Sequence, residues 1–62
     1  MDAKDRIKRL RESLKISQSE LARRLGINAA TVNRWEMGLT EPSNMALQKI
    51  EQLEKKHGHK NS

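Results

Sequence analysis

Only three residues, Gly26-Ile27-Asn28, separate two segments that both carry helical periodicity. Before them, in "ISQSELARRLG", Ser17 and Glu20 have the spacing of a capping box, and Leu21, Ala22 and Leu25 recur at three and four. Gly26 stands where a left-handed residue closes a helix without a Cβ penalty. After the turn, Asn28 is a good N-cap, Val32 and Trp35 share one face, and Gly38 ends the segment as Gly26 ends the one before. Ile16 with Leu21, and Ile27 with Val32, repeat the hydrophobic-staple pattern. A connection this short makes the two helices cross steeply, so the second projects its outer face away from the body.

The flanks extend the helical reading to the whole chain. The first helix is expected from about Asp2 to Lys15, capped by Asp2, with Ile7, Leu10 and Leu14 on one stripe. Arg11 falls on that same stripe. An arginine facing a core needs a carboxylate partner, because breaking a buried pair costs roughly 3–5 kcal/mol. After the polar loop Leu39-Thr40-Glu41, Pro42-Ser43 restarts a helix with Leu47, Ile50 and Leu53 inward, running to about His57 and stopping at Gly58. The expectation is an all-α, compact four-helix domain over residues 1–57, without a clear fifth helix, and a disordered tail over 58–62. At 62 residues the chain is one domain at most, and no cysteine is present to staple it. The single aromatic residue is Trp35, so the core must otherwise be aliphatic.

Charge narrows the partners. Charged residues make up 34% of the chain and the net charge is +5, which favours an anionic partner, nucleic acid ahead of an acidic membrane or protein. The plainer reading is a solvated basic surface, and the run Lys4, Arg6, Lys8 and Arg9 reads that way unless it flanks DNA. No apolar stretch approaches a membrane span, and the start lacks the apolar block of a secretion signal, so a cytoplasmic location is expected. Neither a metal nor a cofactor is expected: His57 and His59 form an H-x-H pair with no third ligand in view. No glycine-rich phosphate loop and no acid pair stand out, so an enzyme is not expected.

At about 100° per residue, burying Val32 and Trp35 turns Ala30, Asn33 and Arg34 outward, with Ala29 on the edge. These residue types have a chemistry in common. The arginine fork fits guanine's two major-groove acceptors, asparagine fits adenine's acceptor and donor, and alanine can touch the thymine methyl. On a solvent-exposed face all three are also ordinary.

The stretch "ISQSELARRLGINAATVNRWEMG", followed by Pro42, resembles the DNA-binding domain of phage-repressor and Cro-type helix-turn-helix regulators, the xenobiotic-response-element-like proteins among them. The resemblance rests on Ser17-Gln18, Glu20-Leu21-Ala22, Leu25-Gly26, Asn28, Trp35-Glu36, Gly38 and Pro42, and it spans about Ile7 to Leu53. It implies a lambda-repressor-like domain with the helix over 29–36 in the major groove, where Ala29, Ala30, Asn33 and Arg34 would meet bases. Ser17, Gln18, Asn28, Thr31, Ser43 and Asn44 would meet the phosphate backbone, and Arg11 with Glu36 would form the family's internal ion pair. A regulator of this class, in most cases a repressor, binds double-stranded DNA and pairs as a homodimer on a palindromic operator; it would be nucleoid-associated. The chain departs from the pattern at Ala29 and Ala30, which replace frequent polar readers, and at Met37 and Glu41, where polar or basic phosphate contacts are common. The rival is a protein-interaction module on the same frame, such as an antitoxin-like partner-binding domain, with Met37, Leu39 and Met45 as its apolar surface.

Overall fold

A computed structural model describes the backbone of residues 3–59 and side chains as far as Lys56. Four helices follow in order: α1 (Ala3–Leu14), α2 (Gln18–Leu25), α3 (Ala29–Glu36) and α4 (Asn44–His59), with no strand among the described residues. The chain is all-helical, as its periodicity implies. No helix of the described residues is long and apolar enough to cross a membrane. The expected cap at Asp2, the side chains of the His57–His59 pair and residues 60–62 of the expected tail lie outside what is described.

Each helix contributes to one aliphatic core. Ile7 and Leu10 come from α1; Leu21, Ala22 and Leu25 from α2; Val32 and Trp35 from α3; Ala46 and Ile50 from α4. Leu14, Ile16, Ile27, Leu47 and Leu53 are half-buried around it, so both staple residues, Ile16 and Ile27, sit where the pattern puts them. Ala46 escapes a reading anchored on Leu and Ile, because a small side chain carries little periodic signal. α2 packs closely on α3, α1 lies across α3, and α4 rests on α1 and α2.

Three of the helices end in the same hydrogen-bond pattern. At the end of α2 the Ile27 amide donates to the Ala22 carbonyl at 2.9 Å and the Gly26 amide to Arg23 at 3.2 Å, with Gly26 left-handed at φ 74°. α3 closes alike: Leu39 donates to Arg34 at 2.9 Å and Gly38 to Trp35 at 3.1 Å, with Gly38 at φ 77°. The helix itself stops at Glu36, and Met37 is its cap. α1 repeats the pattern with the wrong residue for it. Ile16 donates to Arg11 at 3.1 Å and Lys15 to Glu12 at 3.2 Å, and Lys15 takes the left-handed conformation at φ 57°. α1 therefore ends at Leu14, one residue short of the expected Lys15.

The helix starts depart from the sequence reading in two places. Ser17 caps α2, its hydroxyl oxygen accepting from the Glu20 amide at 3.1 Å. The Glu20 carboxylate is engaged by Arg23 at 2.5 Å and Arg24 at 3.0 Å, so charged donors one turn on outcompete the backbone amide that a full capping box would use. Asn28 occupies the cap position of α3 but its side chain makes no capping hydrogen bond. At the far end, α4 continues through Gly58 to His59, past the expected stop. A single glycine in a helix costs only about 1 kcal/mol, and no proline follows to end the helix there.

Lys15 gives a direct test of this account. Lys15→Gly should stabilise the protein by roughly 0.5–1 kcal/mol, the left-handed penalty less the freedom glycine adds to the unfolded chain. Thermal unfolding should move up by a few degrees; an unchanged or lower midpoint would count against the left-handed cap.

Candidate nucleic-acid interface

The inner face of α3 is wider than Val32 and Trp35 alone. Glu36 is buried beside them, at 5% exposure. This burial sets the rest of the helix. Ala30, Asn33 and Arg34 face solvent, while Ala29 and Thr31 are half-buried, Ala29 packing against the core. Arg34 has no hydrogen bond or ion pair among the described residues, so its guanidinium is available to an external anion or base edge.

Glu36 is buried because Arg11 meets it. The arginine Nε and Nη2 donate to its two carboxylate oxygens at 2.5 and 2.8 Å, a bidentate fork joining α1 to α3. The remaining Nη1 of Arg11 donates to the Ile16 carbonyl at 3.1 Å, which fastens the chain at its entry to α2. Gln18, the first residue of α2, adds a third donor to Glu36 from Nε2 at 3.1 Å. The Arg11 guanidinium holds the Glu36 carboxyl below its ordinary value of 4.5, against the desolvation that opposes it, and the Gln18 bond and nearby Lys8 add to the lowering. Arg11 is raised in turn, chiefly by its hydrogen bond to Glu36.

Gln18 also reaches the outer face. Its Oε1 accepts from Nδ2 of Asn33 at 3.3 Å. The resemblance implies a phosphate contact for Gln18, and neither bond is legible in the sequence, because no periodicity relates residues on different helices. The signal that was present is chemical: a carboxylate has about four lone-pair sites and one guanidinium fork fills two of them.

The other candidate backbone contacts stand at helix starts. Ser17 and Gln18 open α2, Asn28 precedes α3, and Ser43 precedes Asn44 at the head of α4. The Ser43 hydroxyl accepts from the Ala46 amide at 3.2 Å. As capping acceptors, Ser17 and Ser43 keep a hydroxyl proton to donate elsewhere. The side chain of Asn28 is exposed, as is Asn44. The structure links Gln18 to Asn33 but makes no hydrogen bond from Ser43 or Asn44 to that pair.

Acidic neighbours redistribute the positive charge. Arg6 makes a bidentate pair with Glu54 at 2.7 and 2.8 Å, fixing α1 to α4, so it is not part of a free basic run. Arg23 and Arg24 are drawn to Glu20, whose carboxyl is lowered to about 2 by the two arginines. Lys8, Arg9 and Arg34 face solvent without an acidic partner among the described residues.

A model of helix-turn-helix domains matches residues 7–53, from the first core isoleucine of α1 to the last half-buried leucine of α4. The chain belongs to the Cro/C1-type helix-turn-helix family. This is a family of DNA-binding regulators, and the α2–turn–α3 unit is its helix-turn-helix. No curated protein and no solved structure matches the chain.

The Arg11–Glu36 pair yields a stability prediction with a pH signature. Glu36→Ala leaves Arg11 half-buried without its fork, and should lower stability by roughly 3 kcal/mol at neutral pH, a large share for a domain this small. Because folding lowers the carboxyl, its contribution is full above about 4.5 and is lost as pH falls through the lower folded value. Thermal melts across pH should therefore show wild type losing its advantage over Glu36→Ala on acidification. Equal melting at pH 7 would remove the pair from the fold's supports.

Proposed function

We propose that this protein is a sequence-specific double-stranded DNA-binding regulator, a repressor, that inserts α3 into the major groove. The observation that carries this is the outer face of α3. Ala30, Asn33 and Arg34, the last without a partner among the described residues, stand exposed on a helix whose opposite face is locked into the core, inside a helix-turn-helix of a DNA-binding family. Ala29, half-buried at the edge, allows the helix to approach the groove floor closely. Base contacts are assigned to Ala29, Ala30, Asn33 and Arg34. Phosphate contacts are assigned to Ser17, Gln18, Asn28, Thr31, Ser43 and Asn44, each at the cap or in the first turn of a helix and helped by its positive end. Gln18 retains one N–H for this after donating to Glu36. The expected assembly is a homodimer on a two-fold operator, its half-sites spaced by a helical turn.

A second reading rests on one feature. Met37, Leu39 and Met45 are 62%, 66% and 69% exposed, which is the surface a partner-binding module on this frame would use. The two readings separate in a selection from random DNA set beside capture of protein partners without DNA. Enrichment of one motif supports the regulator; no enrichment, with a protein bound through the methionines, supports the module.

On the selected site, affinity should fall steeply with salt, with a log–log slope steeper than about −3, since each neutralised phosphate contributes roughly −0.9. Arg34→Ala should lose roughly 1–3 kcal/mol and relax the preference at one base pair. A flat salt response counts against the DNA reading. An Arg34→Ala profile parallel to wild type across all single-base variants makes Arg34 a phosphate contact instead.

A further inference from the structure

We infer that the buried Arg11–Glu36 pair acts through Gln18 to fix which way round the Asn33 amide is presented, so that Asn33 selects adenine over guanine in the major groove. The inference deepens the DNA reading of α3 and rests on it.

An ionised carboxylate accepts and cannot donate. Glu36 is buried and ion-paired, with Arg11 on both oxygens and Gln18 on Oε1. Gln18 must therefore turn its NH2 inward to Glu36 and its carbonyl oxygen outward. That outward oxygen accepts and cannot donate, so the next residue in line must present an N–H to it. The next residue is Asn33, with Nδ2 at 3.3 Å. The buried charge thus dictates, through Gln18 on α2, the orientation of an amide one turn away on the exposed face of its own helix. An asparagine on an open helix surface would be free to rotate end over end.

The consequence is a defined pattern of free groups. Asn33 has one N–H committed to Gln18, and keeps one N–H and a carbonyl oxygen toward solvent. Adenine presents an acceptor, N7, beside a donor, N6–H; guanine presents two acceptors, N7 and O6. The held amide matches adenine on both atoms. Against guanine its carbonyl oxygen would meet O6, acceptor to acceptor, and the N–H needed to relieve that clash is already engaged. Gln18 is in this account a positioning residue, which acts on the base through Asn33.

The test is the binding profile over every single-base variant of the selected site, measured for wild type, Gln18→Ala, Asn33→Ala and the double variant. Gln18→Met, which keeps the packing of the stem and removes both polar ends, serves as a second variant should the alanine not fold. Wild type is expected to favour adenine over guanine at one position by about tenfold or more. Gln18→Ala should reduce that preference to about threefold or less while leaving the preferences at other positions intact. Asn33→Ala should abolish it, and the double variant should look like Asn33→Ala there. In the free protein, the side-chain amide protons of Asn33 should shift and exchange faster in Gln18→Ala. Loss of its phosphate contact weakens Gln18→Ala on every site; a profile that is only uniformly weaker, with the adenine preference unchanged, overturns the inference, leaving Gln18 a phosphate contact alone and the DNA reading intact. Additive losses in the double variant, or unmoved Asn33 amide resonances, also overturn it. A wild-type protein that enriches no DNA sequence overturns the DNA reading itself, and this inference with it.

Discussion

The ion pair between Arg11 and Glu36 is where three helices are fastened. One guanidinium holds the Glu36 carboxylate at the end of α3, and an N–H on its Nη1 holds the Ile16 carbonyl just ahead of α2. Gln18, at the start of α2, completes the carboxylate. A buried ion pair often contributes no more stability than a well-packed apolar replacement would, because desolvation offsets most of the attraction. What the charges supply here is direction. A fork and a carboxylate meet in one geometry, so α1 and α3 are held in register as well as in contact. Glu36 also lies at the end of a helix whose dipole disfavours a negative charge, and Arg11 compensates that as well.

Neither α2 nor α3, at eight residues each, is long enough to persist alone in water. Both depend on capping and on a shared aliphatic core. The left-handed Gly26 turns the chain between them in three residues, and Ile27 packs beneath that turn. α4, the longest helix, carries Ala46 and Ile50 into the core, and the Arg6–Glu54 pair braces it against α1. The exposed face of α3 is thus carried by a helix whose inner face is fully committed. A short helix held in this way presents its outer side chains without having to order itself on binding.

The positive charge of the chain is less available than its total suggests. Arg6, Arg11, Arg23 and Arg24 are each held by a carboxylate. Cations without an acidic partner among the described residues include Lys8, Arg9 and Arg34, of which only Arg34 lies on α3. A composition-based argument for an anionic partner counts all thirteen basic residues alike; the structure separates those that brace helices from those that can meet a ligand.

The four helices, the three-residue turn, the aliphatic core and the need of Arg11 for a carboxylate are all legible in the amino-acid sequence. Each of these is a local or periodic property: apolar residues at three and four, a glycine at a helix end, an arginine on an apolar stripe. So is the outward position of Ala30, Asn33 and Arg34, because helical geometry relates them to Val32 and Trp35 on the same element. Tertiary structure alone decided that Lys15 is left-handed, that Glu20 answers to arginines instead of the backbone, and that Gln18 bridges Glu36 to Asn33. Those outcomes depend on competition between donors and on the crossing of separate helices. Asn33 and Glu36 are neighbours at i, i+3 on α3, but no spacing relates Gln18 to either; only the angle at which α2 crosses α3 brings its amide within hydrogen-bond reach of both.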